Sequence, residues 1–358
     1  MHQFQLLTKL LDKWKGQPTQ LTPGPKTFLR TNKELPELVK YGETLPNEYW
    51  LKWEKKSYHD LMPIMSWIKP EKVKGVAMTL GYTGREDRLV RVLQRLEQGA
   101  ELGCEGSSRL PTHEKNSQST YDLGVRVADS LQSWIKEGLC YGPLRPEEMP
   151  FESYTINPIT VRLMPNGKAT ICINMSAPYK KDSDPQDKPA SVNSGIDTKK
   201  FPTQMSTTTS FCSSLTRAGC PAEFAKIDWI SAYKHIAVRP EDHHLQVFKF
   251  GGRLFGEVML TFGEASSAGI YHVAAKLVKE FAVRASSTDD RMINQILHDV
   301  ICVESARDGT VEKFYDTYQQ IDEELGVRLA DKSNKDKAFR SSHEGKVFGI
   351  SYDLKIWV

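Results

Sequence analysis

The chain has 358 residues, of which 39% are hydrophobic and 26% charged, a composition typical of a folded globular protein and not of a fibrous or disordered one. Its 48 Lys and Arg residues against 45 Asp and Glu residues give a net charge of +3, so a nucleic-acid partner would have to bind a local basic face. No apolar run approaches the ~20 residues that span a bilayer, and the first residues lack a secretory signal, so we expect an intracellular protein, cytoplasmic or nuclear, with no membrane partner.

Residues 1–115 give mixed signals, and we interpret them as an N-terminal region of unknown role that is partly loop-like. One amphipathic helix is predicted over 86–98, where leucines and valines recur at helical spacing and arginines, Arg88 among them, lie on the opposite, solvated face. The Gly, Ser, Pro and Asn content of 99–118 predicts a loop and a domain boundary.

From about residue 120 the turn residues recur regularly and predict a series of short elements. Asn-Gly and Gly-Gly pairs between apolar runs are strong hairpin signals. The predicted helices are 121–137, 264–284 and 310–325, and the predicted strands are 159–164, 169–173, 223–228, 245–250, 254–259, two short strands around a turn within 296–303, and a final hairpin over 346–358. This order, without repeated βαβ units, predicts an α+β fold with a mainly antiparallel sheet backed by helices.

Two carboxylates at predicted strand ends are the candidate chemistry. Asp228 follows the apolar stretch FAKI, and the pair His298-Asp299 lies at the turn of a second apolar segment. If the two strands are neighbours, Asp228 and Asp299 face one another, and such a like-charge pair is stable mainly with a cation between its members, as in a magnesium site for phosphoryl transfer. The alternative is that both aspartates only cap turns. The six cysteines form no C-x-x-C pair, so we expect reduced core residues and neither a zinc site nor disulfides.

The order of short motifs in the second half of the chain resembles the palm of a reverse transcriptase. In sequence order, DWISAY, LTFGEASS, LHDV, GVRLA and VFGISYD resemble motifs A to E, while PNGKATICINMS is similar to the fingers hairpin and SVNSGI to the loop that follows it. Each motif alone is unspecific, but their common order over 116–358 makes the resemblance specific. The chain most resembles the reverse transcriptases of DIRS-like retrotransposons.

The resemblance implies a right-hand polymerase fold with fingers and palm over 116–358, in which template-directed DNA synthesis proceeds by two-metal nucleotidyl transfer. The implied cofactor is Mg²⁺, with Mn²⁺ as the alternative, and the implied partners are an RNA or DNA template with primer and deoxynucleoside triphosphates. The chain ends inside the hairpin that resembles the primer grip, so we expect the thumb to be absent.

The resemblance also implies roles for individual residues. Asp228, with the Trp229 carbonyl beside it, and Asp299 would bind the metal, and His298 would lie at the catalytic turn. Tyr233 would pack beneath the sugar of the nucleotide and disfavour a ribose 2′-OH, unless it is a core tyrosine. Phe262 and Gly263 would lie beneath the nucleotide, where the glycine would allow close approach of the backbone. Lys168 would contact the triphosphate, unless it is an ordinary lysine of a hairpin turn. Lys332 or Lys335 would lie near the departing pyrophosphate.

Three departures from the family pattern bear on activity. His298 stands where the first aspartate of the Y-x-D-D turn belongs, and imidazole is a poor ligand for Mg²⁺. Thr170 occupies the place of an arginine that contacts the triphosphate, and Asn174 that of an aspartate. We therefore predict weak or absent polymerase activity, unless a slipped register makes Asp299 the first carboxylate and Val300 the second residue of the pair.

Three function hypotheses follow. The first is an RNA-directed DNA polymerase domain of a retroelement. The second is the same fold without catalysis, either an inactive retroelement relic or a nucleic-acid-binding module. The third is an unrelated α+β protein that binds another protein through its first 110 residues.

Overall fold

The computed structural model describes residues 44–82, 86–105, 115–164, 167, 169–178, 191–306, 309–330 and 337–354. All of them belong to one unit, Leu38–Val358. Three residues with predicted phosphate contacts, Lys168, Lys332 and Lys335, lie outside the described residues, so their roles stay predictions.

Within these ranges the α-helices are α1 (Asn47–Trp50), α2 (Pro70–Thr79), α3 (Glu86–Gln98), α4 (Gln118–Asp122), α5 (Gly124–Lys136), α6 (Thr208–Ala218), α7 (Ser267–Ser286) and α8 (Thr310–Leu325). Short 3-10 helices cover His59–Leu61, Pro146–Glu148, Asn193–Gly195, Thr198–Lys200, Ala232–His235, Pro240–Leu245 and Asp290–Met292. Among these described helices, none combines the length and apolarity needed to cross a membrane.

The strands are β1 (Cys140–Leu144), β2 (Ile156–Asn157), β3 (Ile159–Leu163), β4 (Ala169–Ile173), β5 (Ala222–Asp228), β6 (Val247–Phe250), β7 (Arg253–Glu257), β8 (Ile293–Ile296), β9 (Asp299–Ser305), β10 (Phe339–Ser342), β11 (Glu344–Val347) and β12 (Ile350–Asp353). They form the sheets β10-β5-β9-β8 and β1-β7-β6-β2 and the hairpins β3-β4 and β11-β12. Every pairing is antiparallel except that of β2 with β6. The prediction of a mixed α+β fold with a mainly antiparallel sheet is therefore confirmed.

The sheet β10-β5-β9-β8, here called the central sheet, is buried on both faces. Along β5, Ala225 and Ile227 belong to the main core with α7 and α8, whereas Phe224 packs with Phe211 and Leu215 of α6. Successive strand residues point to opposite faces, so this alternation explains why β5 carries apolar residues on both of its faces. The two layers of helices hold the C-terminal end of β5 in place against the start of β9.

The described part of the N-terminal region packs against the rest of the chain. The Trp50 and Trp53 rings contact Phe255 of β7 at centroid distances of 6.0 Å each. Arg88 of α3 is buried and forms an ion pair with Glu280 of α7, so the prediction that this arginine faces solvent is wrong. The carboxylate on the neighbouring helix offsets the desolvation cost of burying the guanidinium, because the buried charge is paired.

Most predicted elements are present, with some corrections. The helices predicted over 86–98 and 310–325 match α3 and α8, whereas the helix predicted over 121–137 is two helices that meet at Leu123. Sequence patterns did not predict α1, α2, α6, β1, β2 or β10. Of the six cysteines, Cys140 and Cys302 are buried, but Cys220 is exposed, so the expectation that all are core residues is wrong.

Candidate active site

The predicted carboxylate pair lies at the end of two neighbouring strands. Asp228, the last residue of β5, is the cross-strand partner of Asp299, the first residue of β9. Residues directly opposite in an antiparallel pair share one face of the sheet, so both carboxylates lie on the same side. The assumption that the two strands are neighbours therefore holds, and the two aspartates face one another.

His298 lies in the tight turn that joins β8 to β9. Ile296 pairs with Asp299 across this turn, and Leu297 has the positive φ of 51° that lets two residues close it. The backbone N–H of Trp229 donates to the His298 carbonyl at 3.4 Å, which holds the turn against the end of β5. Val300 pairs with Ile227 and is buried, so it lies among core residues and not beside the carboxylates.

The three side chains form one compact group. One ligand atom from each of Asp228, His298 and Asp299 lies within 4.8 Å of the others, and His298 Nε2 is 3.6 Å from Asp228 Oδ1. Asp228 is only 2% exposed, whereas Asp299 and His298 are half-buried. In the described part of the chain, no other three His, Cys, Asp or Glu side chains come this close.

Two lysines that were not predicted neutralise the carboxylates. Lys337 Nζ lies 2.6 Å from Asp228 Oδ2, and Lys226 Nζ lies 3.5 Å from Asp299 Oδ2. Burial raises the pKa of Asp299 above its ordinary value; the Lys226 ammonium opposes this shift and the Asp228 carboxylate adds to it. The pair of negative charges is therefore already balanced by protein cations.

The oxygen atoms left over decide how a divalent cation would fit. Asp228 Oδ1 and Asp299 Oδ1 are buried and accept no hydrogen bond from the described residues. Two such orphaned oxygens are candidate ligands for one cation. A second ion would need the Oδ2 atoms, which face the lysines, so the donor set fits one ion and does not fit a two-magnesium centre.

Tyr233, Phe262 and Gly263, predicted to hold the nucleotide, lie together next to this group. Tyr233 is buried on the Ala232–His235 turn, and its ring packs edge-on against Phe262 at a centroid distance of 4.7 Å. Phe262 is 41% exposed and presents an aromatic surface to solvent, whereas Tyr233 beneath it belongs to the main core, as the alternative prediction of a core tyrosine has it. Tyr271 of α7 contacts the rings of both Tyr233, at 5.7 Å, and Trp229, at 5.4 Å, and thereby connects this surface to the carboxylate pair.

The structure gives the glycine at 263 a reason of its own, and its predicted place beneath a nucleotide stays a prediction. Its φ is 97°, and a Cβ built there would overlap the carbonyl oxygen of Ile173 in β4. Asn193 also donates its side-chain N–H to the Gly263 carbonyl at 2.7 Å. The close approach is therefore made by the β3-β4 hairpin, and the glycine sets the position of that hairpin.

The β3-β4 hairpin carries the predicted triphosphate contacts. Thr170 pairs directly with Arg162 across the hairpin, so the two side chains share a face, and Arg162 is exposed. The hairpin register could have identified this arginine from the sequence, because the five residues between Leu163 and Ala169 place the two residues opposite each other. Asn174 donates its backbone N–H to Pro158 at 2.7 Å and closes the base of the hairpin.

Of the two unpredicted lysines, only one had a sequence signal. Lys226 lies two residues before Asp228 on the same strand, and the period of two places both on one face. Lys337 lies two residues before the start of β10, whose pairing with β5 is a long-range contact that no local pattern indicates.

Comparison with known proteins identifies the class of fold. No protein-family model matches the chain, and no curated protein sequence matches it. Among solved structures, it is similar to the native crystal structure of the prototype foamy virus protease-reverse transcriptase, with a TM-score of 0.50 at 11% identity over 88% of this chain and 36% of that chain. The chain therefore has a reverse transcriptase-like fold.

A second foamy viral protease-reverse transcriptase structure, of a dRH form in complex with double-stranded DNA, has a TM-score of 0.49 at 12% identity over 88% of this chain and 48% of that chain. The chain thus spans between about a third and a half of the length of these two viral proteins.

Proposed function

We propose that residues 116–358 are the fingers and palm of a retroelement reverse transcriptase, most similar to the DIRS-like group, in which nucleotidyl transfer is impaired. The supporting observation is the opposed pair Asp228 and Asp299 at the ends of β5 and β9, with His298 in the adjoining turn. The N-terminal region, 1–115, has no assigned role in this proposal, and its boundary with the second domain stays a prediction.

The partners in this proposal are a primed RNA or DNA template and a deoxynucleoside triphosphate. The foamy viral protein of similar fold has been solved with double-stranded DNA. In this chain, the exposed Phe262, supported by the buried Tyr233, offers an aromatic surface for the sugar and base of the nucleotide. Arg162, on the face of Thr170, offers a guanidinium to the triphosphate where the expected arginine is replaced.

Asp228 and Asp299 would hold a divalent cation, and such an ion would neutralise the charge that develops on the transferred phosphate. Other residues would position the substrates: the β8-β9 turn holds His298 beside Asp228, and Phe262, packed on Tyr233, would orient the nucleotide. Loss of one charged contact to a transition state costs on the order of a hundredfold in rate. Replacement of an aspartate by His298 therefore predicts weak or absent synthesis with Mg²⁺.

The same geometry favours a second candidate function, an inactive relic or nucleic-acid-binding module. Lys337 and Lys226 neutralise the two carboxylates without any metal. The carboxylate pair is therefore compatible with a folded protein that has no catalytic activity. The two candidates share the fold and differ only in chemistry, so an activity measurement separates them.

Primer extension on an RNA template, with Mg²⁺ and separately with Mn²⁺, tests the proposal. We expect no extension by the chain as it stands and weak, distributive extension by His298→Asp, which restores an oxygen ligand. Extension by the unmodified chain that Asp228→Asn abolishes would mean that Asp299 alone completes the site and that impairment is wrong. No extension by either form, with salt-sensitive duplex binding retained, would favour the binding module.

A further inference from the structure

We propose that Asp228, His298 and Asp299 form a single-ion centre for a borderline transition-metal cation, such as Zn²⁺, Co²⁺ or Mn²⁺, in preference to Mg²⁺, and that Lys337 competes with this ion for Asp228. The inference deepens the proposed function, since it concerns the same site. It is independent of whether the chain synthesises DNA, because it rests on the donor atoms alone.

The donor set contains a nitrogen. Mg²⁺ is bound by oxygen ligands in near-ideal octahedra, whereas imidazole suits Zn²⁺ and the other borderline ions. His298 Nε2 is 3.6 Å from Asp228 Oδ1, and the His298 side chain is 33% exposed, so the imidazole lies beside the carboxylate and is accessible to solvent. Two oxygens and one imidazole nitrogen, with open positions for water, form the kind of set found at zinc and manganese centres.

The distances fit a metal with little rearrangement. Two donors bonded at ~2.1 Å and at right angles lie ~3 Å apart. The three ligand atoms lie within 4.8 Å of one another, so small side-chain rotations close the set. Asp228 is nearly fully buried, and its Oδ1 lacks a hydrogen-bond donor among the described residues, which leaves this oxygen directed at the ligand group.

Only one ion has enough donors. In a two-metal centre, carboxylates offer both oxygens to two cations about 3.5–4 Å apart. Here the Asp228 and Asp299 Oδ2 atoms lie next to Lys337 and Lys226, and a second cation would lie close to both ammonium groups. We therefore expect one ion per chain.

Lys337 is the residue that an arriving ion must displace or tolerate. Its ammonium contacts Asp228 Oδ2 at 2.6 Å, but the side chain is 45% exposed and has room to move into solvent. With both lysines in place, two carboxylates are balanced by two ammonium groups, so the attraction for a divalent cation is reduced. Removal of the Lys337 charge should raise the affinity for the ion by on the order of tenfold or more.

The test is isothermal titration of the full chain with ZnCl₂, CoCl₂, MnCl₂ and MgCl₂, each alone, with the visible absorption of bound Co²⁺ as a second readout. We expect one ion per chain, tightest for Zn²⁺, then Co²⁺, then Mn²⁺, with Mg²⁺ weakest. His298→Asp should cut the preference for Zn²⁺ over Mg²⁺ at least about tenfold and change the Co²⁺ spectrum. Lys337→Met should tighten binding of every ion.

A matched control is available in His343, which is 31% exposed and lies 3.4 Å from Glu223, away from the carboxylate pair. His343→Gln should leave the titration unchanged, and loss of Zn²⁺ binding in that variant would place the metal elsewhere. Two bound ions, equal affinity for Mg²⁺ and Zn²⁺, or an unchanged preference in both His298→Asp and His298→Asn would overturn the single-ion centre. No gain in Lys337→Met would overturn the competition.

These outcomes are distinguishable from failure of the proposed function. Duplex binding and Mg²⁺-dependent primer extension without the expected metal preference would overturn the inference and leave the proposed function standing. The expected metal preference in a chain that binds neither duplex nor nucleotide would overturn the proposed function and leave the inference standing.

Discussion

Glu264, which lies just before the start of α7, makes the free energy of unfolding depend on pH, and a single substitution tests this dependence. The carboxylate is buried, with Ser266 Oγ donating to Oε1 and Ser267 Oγ donating to Oε2 at 2.8 Å. Burial raises its pKa from 4.5 to about 7, while the two serine hydroxyls oppose the shift. The folded protein therefore holds a proton on Glu264 at pH values where the unfolded chain has released it.

The sign and size of the effect follow from this difference. Below pH 4.5 both states are protonated and Glu264 costs nothing, whereas between 4.5 and about 7 the stability of the folded state falls as the pH rises. At ~1.4 kcal/mol for each unit of pKa difference, the loss above pH 7 amounts to about 3 kcal/mol, a large part of the ~5–15 kcal/mol that stabilises a typical protein.

Glu264→Gln keeps the shape and removes the ionisation. Urea unfolding of both proteins at pH 5, 6, 7 and 8 should show the variant gaining stability relative to the parent chain as the pH rises, and levelling off above pH 7. Glu71→Gln, at an exposed position of α2, controls for the loss of a negative charge. A difference between Glu264→Gln and the parent chain that stays constant from pH 5 to 8 would refute the reasoning.

Two further predictions concern buried features near the site. Glu257→Gln removes the carboxylate that contacts the buried Lys234, so it should lower the free energy of unfolding by about 3–5 kcal/mol. Glu97→Gln breaks an exposed ion pair and should lower it by less than about 1 kcal/mol. Equal losses for the two variants in urea titrations would contradict this prediction. An alanine at position 263 would have a positive φ and a Cβ that overlaps a neighbouring atom, whereas an alanine at position 219 would have a positive φ but open space around its Cβ. The melting temperature should therefore fall clearly further for Gly263→Ala than for Gly219→Ala. Equal falls would show that the overlap is relieved at no cost in stability.

The sequence predicted the two strands of the site because their patterns are local. Apolar runs before Asp228 and around Asp299, each closed by a turn, are visible within a few residues, and only their pairing had to be assumed. The same holds for α8, whose apolar residues recur at helical spacing up to Gly326. Where the spacing of the apolar residues and the turn or glycine that ends the segment indicate the same element, the structure contains that element.

The rest depends on contacts between distant segments. Helix α6 has the sequence TTSFCSSLTRA, poor in helix formers, and it forms because Thr207 caps it and Phe211 packs on the central sheet. Strand β1 contains Gly142-Pro143, which reads as a break, yet a proline is tolerated there because β1 is an edge strand. Lys337 reaches Asp228 only through the β10 pairing, so the charge balance of the site was invisible in the sequence.

The position of Trp229 gives the site an optical reporter of its own. Its indole is buried one residue beyond Asp228 and packs against the rings of His235, at 5.3 Å, and Tyr271, at 5.4 Å. A cation that arrives at Asp228 changes the electric field across this rigidly held indole, and the wavelength of its fluorescence follows that field. Subtracting the spectrum of Trp229→Phe isolates this signal from the other tryptophans, so occupancy of the site can be followed in solution without any added dye.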